Sequence, residues 1–427
     1  MAVDGWLRAD ALRMDETDSL APFRQRFYLQ SGRFYMDGNS LGLLSRDAEA
    51  AVLHALDAWK TYGVEGWNRG QDPWFDLPEK IGALAAPLVG ARPGECLIAG
   101  GTTINLHTLL ATFYRPQKGR TKLLADLENF PSDLYAMASH VRLHDRPADD
   151  LVLMAPAADG LVSEDEIIDR FGPDVAVALL PGVWYKSGQV ADIPRLTRAA
   201  HHQGIIIGFD LCHSIGALPH SLHDWDVDFA IWCNYKYLNA GPGSTAGLYV
   251  HERHHHLAPG LAGWFGSDKS RQFAMEPVIT PAATASRWQI GTPPILSTVA
   301  VKASLEMFCE AGIENVRKKS LRQTEYLRGL LEQRVIADLG EGSIATPREP
   351  ERRGGHVAYR HPHAVQLSRV LREAGVIPDF RPPDIVRLAP IPLYTSFTDI
   401  WDTVEILRNV LAEGRHRTGS SERDVVS

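Results

Sequence analysis

The chain has 427 residues, 44% of them hydrophobic and 22% charged, which fits a soluble globular protein with a large core and argues against bulk disorder. Lysine and arginine number 44 against 52 acidic residues, a net charge of −8, which disfavours a chain-wide electrostatic grip on nucleic acid. Four cysteines without a C-x-x-C pair, no apolar run near the roughly 18 residues of a membrane span and no secretory leader predict a reduced, cytoplasmic protein with no metal. Residues 1–57 are too few for a core of their own and are expected to pack on a C-terminal domain. Over 58–297, short β-like runs at 95–99, 121–125, 175–180, 205–210 and 227–233 alternate with helical patterns at 103–114, 132–141 and 193–202. That order predicts an α/β fold, a large and mostly parallel sheet with helices on both faces. From 298 to 412 the pattern changes to amphipathic helices at 299–309, 316–333, 367–374 and 399–412, with short strands at 357–359 and 385–388, which predicts a smaller α+β domain. The charged stretch 346–355 reads as a surface loop, and 413–427, almost without apolar residues, as a flexible tail.

Ligands of parallel sheets bind beyond the carboxyl ends of the strands, so residues just after strands are the informative ones. The run 205–209 ends in Asp210, and a carboxylate there is costly to desolvate without a cationic or donating partner. Taken alone, it could be a helix N-cap. The run 227–233 delivers Tyr235-Lys236 into a Gly/Pro-rich turn. A lysine hemmed by aromatics is suited to a lowered pKa and to nucleophilicity, although a snorkelling surface lysine is the commoner fate of the type. Together, an Asp at one strand end and a Lys after the next are what a pyridoxal phosphate site requires. The lysine forms the Schiff base, and the aspartate keeps the pyridine nitrogen protonated. Gly100-Gly101-Thr102-Thr103, between a strand and a helix, is a candidate phosphate turn.

These residues stand in a longer ordered set: Asp37-Gly38-Asn39-Ser40, Phe130-Pro131-Ser132-Asp133, Ser187-Gly188-Gln189, Asp210-Leu211-Cys212-His213, Tyr235-Lys236-Tyr237, Gly263-Trp264-Phe265-Gly266, Pro293-Pro294 and Arg387-Leu388-Ala389-Pro390. The set resembles the kynureninases, pyridoxal-phosphate hydrolases of the aspartate-aminotransferase-like fold type I. The resemblance implies that Lys236 carries the cofactor and moves the substrate Cα proton, with Asp210 on the pyridine nitrogen and Asp133 close behind. Phe130 would stack on the ring, and His213 would lie beside it. Thr102, Thr103, Tyr235, Thr292 and Trp264 of the partner subunit would hold the cofactor, which implies a homodimer with sites at its interface. Tyr235 would also handle a proton near the substrate carbonyl. Ser40, Trp67, Gly291, Thr292 and Arg387 would bind substrate, Arg387 as a fork on the α-carboxylate.

The implied reaction is hydrolytic Cβ–Cγ cleavage of L-kynurenine to anthranilate and L-alanine, in the breakdown of tryptophan. Kynureninases that favour 3-hydroxykynurenine carry Ser-Asn before the Pro-Pro pair and a His in the earlier Gly-rich stretch. Gly291-Thr292 and Trp67 stand there, which implies the branch favouring unsubstituted kynurenine. The alternatives are another pyridoxal-phosphate lyase or aminotransferase, such as a cysteine desulfurase, and a non-catalytic cofactor-binding protein.

Overall fold

A computed structural model describes residues 7–417. After β1 (Phe34–Tyr35), the strands β2 (Cys96–Ile98), β3 (Lys122–Asp126), β4 (Leu151–Met154), β5 (Val175–Pro181), β6 (Ile206–Asp210), β7 (Phe229–Trp232) and β8 (Gly247–Val250) build one sheet. Its order is β2-β8-β7-β6-β5-β3-β4. Only β8 breaks the parallel arrangement, running antiparallel to both β2 and β7.

The inner strand β5 is buried at every position because both faces of the sheet are covered. Its alternate residues serve separate cores. Ala178 and Leu180 share a core with the helices Leu77–Val89 and Ile193–His202, while Val177 and Leu179 share another with Thr102–Phe113 and Pro131–Leu143. Each fully buried Leu, Ile or Val side chain contributes about 1.5–3 kcal/mol. Gly208 on β6 is required by a neighbour: a Cβ there would lie 2.1 Å from the Phe229 ring.

The C-terminal unit holds β9 (Ser343–Ile344), β10 (Val357–Arg360), β11 (Val376–Ile377), β12 (Asp379–Arg381) and β13 (Ile385–Leu388). Four of these form an antiparallel sheet ordered β12-β13-β10-β9, while β11 pairs in parallel with β1. Helices Ile313–Leu330, Ala364–Glu373 and Phe397–Ala412 close its core. The N-terminal segment divides between the two units. Helix Arg8–Glu16 packs on Phe397–Ala412, whose first backbone N–H groups are capped by Asp15 at 2.6 and 3.0 Å. Helix Arg46–Tyr62 packs instead on Ile295–Ala311. The expected limits at 57/58 and 297/298 therefore fall inside two helices that pack on each other.

Strands β4 and β8 have no counterpart in the sequence reading. The first is a short edge strand, with Leu153 exposed, and the second opens on a glycine. The stretch 346–355 is more than a surface loop. Thr346 is buried, donating to Ser187 O at 2.6 Å and accepting from Ala358 N at 2.8 Å. Arg353 is buried and paired with Glu325 at 2.8 Å. The tail is ordered at its start: Arg415–Arg417 forms a 3₁₀ turn that buries His416 beside His361, and 418–427 lie outside the described residues. Among the described residues no helix is long and apolar enough to cross a membrane.

Candidate active site

Strands β6 and β7 are parallel neighbours, with Asp210 facing Ile231. Their carboxyl ends therefore bring Asp210 and the turn holding Lys236 side by side. The turn is fixed from the N-terminal segment, where Gly42 N donates to Tyr235 O at 2.8 Å. Gly42 is needed there, since a Cβ would stand 2.6 Å from Lys236 O. Lys236 is buried. Its Nζ lies 3.1 Å from His213 Nε2, 5.6 Å from the Phe130 ring centroid and 5.9 Å from that of Tyr235.

The expected lowering of the lysine pKa is not met. Burial acts in that direction, but Cys233, Cys212, Tyr235 and Asp210 outweigh it and hold the pKa above the ordinary value. His213 goes well below its ordinary value, through burial first and the Lys236 charge second, so it stands as a neutral acceptor for the ammonium. Burial also raises the Tyr235 phenol. Asp210 accepts from Cys212 N at 2.8 Å. Asp133, on the first turn of Pro131–Leu143, is pushed well up by burial and by the Asp210 charge. Its Oδ2 is buried without a partner.

Two helix N-termini meet next to this centre. Gly101 caps Thr102–Phe113, Phe130 caps Pro131–Leu143, and Thr103 Oγ1 lies 2.5 Å from Ser132 Oγ. A Cβ on Gly101 would meet nothing within 4 Å, so the first-turn N–H groups front open space. Such a pair of N-termini suits an anion. Ser132 was not among the expected site residues, although its hydroxyl at a helix start is a legible signal.

The C-terminal unit supplies a second wing. On the β12–β13 hairpin Asp379 faces Arg387, and the two fully buried side chains form an ion pair. Arg387 also donates to Tyr185 O at 2.6 Å and to Ser40 Oγ at 3.3 Å. Burial lowers its pKa to about 10, which leaves it cationic at neutral pH. Arg381 reaches the same Ser40 hydroxyl at 3.4 Å. Tyr185 joins the wings: its ring lies 5.5 Å from Phe130, edge to face, and 6.3 Å from His213. His356, 3.3 Å from the Tyr237 hydroxyl, is fully buried and held at a pKa of about 3 by burial first. Sequence reasoning missed Tyr185, His356, Asp379 and Arg381. The Asp-x-Arg beside Arg387 is the one local signal among them.

The remaining expected residues stand elsewhere in the subunit. Trp67, Trp264 and Thr292 line a cavity of about 530 Å³ with Phe75, Phe265 and Lys269. Gly291, next to Thr292, is exposed. Trp67 packs edge to face on Trp74 at 5.7 Å and lies 5.9 Å from Phe265. Among the described residues no hydrogen bond or ring contact ties this lining to Lys236, His213 or Arg387.

A family model described as the kynureninase C-terminal domain matches residues 316–407. The chain is 51% identical to a kynureninase of Geobacillus thermodenitrificans over 98% of its own length and 97% of that protein's. It is 50% identical to a kynureninase of Bacillus anthracis over the same shares. Among solved structures it is similar to the cysteine desulfurase CsdA of Escherichia coli, with a TM-score of 0.76 and 18% identity over 92% of this chain and 99% of that one. A cysteine desulfurase of Thermococcus onnurineus gives a TM-score of 0.75 and 15% identity over 92% and 98%. Those two likenesses establish the fold, while half-identity over nearly the whole length establishes the family: the chain belongs to the kynureninases.

Proposed function

We propose that the chain cleaves the Cβ–Cγ bond of L-kynurenine with water, giving anthranilate and L-alanine, with pyridoxal 5'-phosphate as its cofactor. The observation that carries this reading is the buried Lys236 amine beside Asp210 and His213 at two adjacent strand ends, in a chain half identical to kynureninases. The residues fit that group. A lysine and a carboxylate flank a space edged by Phe130, Asp133 Oδ2 and His213 Nδ1 are buried without partners, and the Gly101 turn is open. When bound, the cofactor supplies an electron sink for the carbanions formed on the substrate.

The chain's own residues do the rest. Lys236 would hold the cofactor and move the Cα proton, and Asp210, with Asp133 behind it, would pair with the pyridine nitrogen. Thr102 and Thr103, with Tyr235, would hold the phosphate, and Phe130 the ring face. Arg387, backed by Asp379, would anchor the α-carboxylate near Ser40. Neutral His213 can accept a hydrogen bond from the Lys236 ammonium and so orient it. Tyr235, raised by burial, keeps a protonated phenol to offer toward the carbonyl.

Trp67, Gly291 and Thr292 would set the preference for the unsubstituted ring. Their separation from Lys236 within one chain is consistent with a homodimer in which each subunit lends this cavity, with Trp264, to the other. Exposed Val64, Trp264, Phe273, Met275 and Val278 support such a covered face. Four unpaired cysteines accord with a cytoplasmic enzyme. A desulfurase needs a cysteine on a mobile loop, and Cys309 lies within the helix Ile295–Ala311. Anthranilate fluorescence on adding L-kynurenine to the cofactor-loaded protein tests the reading. Cofactor uptake without any anthranilate overturns it.

A further inference from the structure

Two thiols beside the site have no part in the reaction. Cys212 follows Asp210 by two residues, and Cys233 precedes Lys236 by three. Each lies just past the carboxyl end of its strand, β6 closing at Asp210 and β7 at Trp232, and these two strands are paired neighbours. There the two residues touch: Cys233 N donates to Cys212 Sγ at 3.2 Å, and the two thiols hydrogen-bond to each other. Both thiols are free and buried. Of the other two cysteines, Cys96 lies on β2, with β8 between it and β7, and Cys309 is exposed on a helix.

We propose that Cys212 and Cys233 are an oxidation site, in which a small hydroperoxide joins them in a reversible disulfide that shuts the adjoining active site. The Cys233 sulfur attacks the terminal peroxide oxygen. The O–O bond breaks, the leaving alkoxide or hydroxide takes up the thiol proton, and Cys233 becomes a sulfenic acid. The Cys212 sulfur then attacks the Cys233 sulfur, the S–O bond breaks, and water leaves with the Cys212 proton. Two thiols and one hydroperoxide give one disulfide, one alcohol or water, and one further water. The sulfurs lose two electrons and the peroxide gains two.

The surroundings favour this order of events. Burial opposes ionisation of Cys233, but its hydrogen bond with Cys212 and the Lys236 charge outweigh it and hold that thiol below its ordinary pKa. Burial pushes Cys212 up. The more readily ionised thiol thus has a resolving thiol beside it. An S–S bond of about 2.05 Å draws the two strand ends together. Cys212 N is the donor to Asp210 at 2.8 Å, and the Cys233 backbone leads directly into the Lys236 turn, so both site residues shift.

The loss of activity rests on the kynurenine-cleaving reading, while the bond itself does not. The test treats the holoenzyme, carrying Cys309→Ser to remove the exposed thiol, with hydrogen peroxide. Remaining thiols are then alkylated and the digest is read by mass spectrometry. We expect the Cys212 and Cys233 peptides to be linked and lighter by two hydrogens, and turnover to fall by roughly tenfold or more, with both reversed by dithiothreitol. In the same background Cys233→Ser and Cys212→Ala, whatever their basal rates, keep those rates after peroxide. Both thiols alkylated after peroxide, a linked enzyme with unchanged turnover, or equal inhibition of the two variants each overturns the proposal. An untreated holoenzyme that forms no anthranilate refutes the reaction instead, and the peptide map still decides whether the bond forms.

Discussion

Lys236 Nζ stands 3.1 Å from His213 Nε2, an ammonium donating to an imidazole that burial and the same charge keep neutral. The two residues follow adjacent strands, and neither would find the other without the parallel pairing of β6 and β7. The contact gives the ammonium a built-in hydrogen-bond acceptor that orients it. It does so while Cys233, Tyr235 and Asp210 favour the charged form of the lysine.

Removing the amine removes the reaction. Lys236→Ala is expected to lose at least about a hundredfold in turnover, the lower end of what a positioned acid–base group contributes, and far more if the covalent role holds. Anthranilate fluorescence under saturating kynurenine measures it. More than a few per cent of wild-type activity without an added amine would show that Lys236 is not the cofactor-bearing residue.

The two aspartates should respond unequally. Asp133 is held protonated, so Asp133→Asn replaces one neutral hydrogen-bonding group by another, and the rate should stay within about threefold, under roughly 1 kcal/mol. Asp210→Asn removes the carboxyl group that would pair with the pyridine nitrogen, and the loss should exceed that of Asp133→Asn by about tenfold or more. The ratio of the two kcat values decides it. An Asp133→Asn loss equal to or larger than that of Asp210→Asn would reverse the assignment.

Acid stability carries a separate signature. His220 is fully buried against Trp225 with both ring nitrogens unpartnered, and burial lowers its pKa to about 4. The unfolded chain takes up this proton near pH 6.5 and the folded chain does not. Stability is therefore whole above that pH and is lost as the pH falls toward 4. Between about pH 8 and about pH 5 the loss is about 2 kcal/mol. Asp37 and Asp126, raised by burial to about 6 and about 7, act with the opposite sign. The comparison must therefore be made against a variant. His220→Phe keeps the ring contact without the titration, and urea unfolding at both pH values should show its pH slope reduced by that amount. An unchanged slope would mean that His220 titrates alike in both states.

Substrate preference should follow Trp67, Gly291 and Thr292. A buried 3-hydroxyl needs a partner, which Trp67 fills with apolar surface and Thr292 reaches less far than Asn. Kynurenine should exceed 3-hydroxykynurenine in kcat/KM by roughly 5- to 150-fold, equivalent to about 1–3 kcal/mol. The triple variant Trp67→His, Gly291→Ser, Thr292→Asn should move the ratio toward the hydroxylated substrate, its changes being made together because neighbours in one cavity do not add. A wild-type ratio at or below one counts against the assignment, as does a triple variant that loses activity with the ratio unmoved.

The sequence by itself determined the parts whose signal is local. Alternating apolar runs ending in Asp210 and leading to Lys236 named the cofactor chemistry, because a strand's period and its polar terminus are written in consecutive residues. The same locality made the helix Ile193–His202 and the strand Ile385–Leu388 legible. Tertiary structure decided which side chains became partners. Arg387 acquired Asp379 only through the register of a hairpin, burial, which no motif states, pushed the Asp133 carboxyl well up, and neighbours brought in by packing held Lys236 above its ordinary pKa. Strand β8, which the sequence reading did not contain, runs antiparallel between β2 and β7, and Trp67 was set beside Phe265, nearly two hundred positions away in the chain, rather than beside Lys236. The reason is physical. The chain's own pattern fixes which face of a strand or helix is apolar, but the identity of the neighbour on that face depends on pairing order, register and desolvation, and these exist only once distant segments have packed.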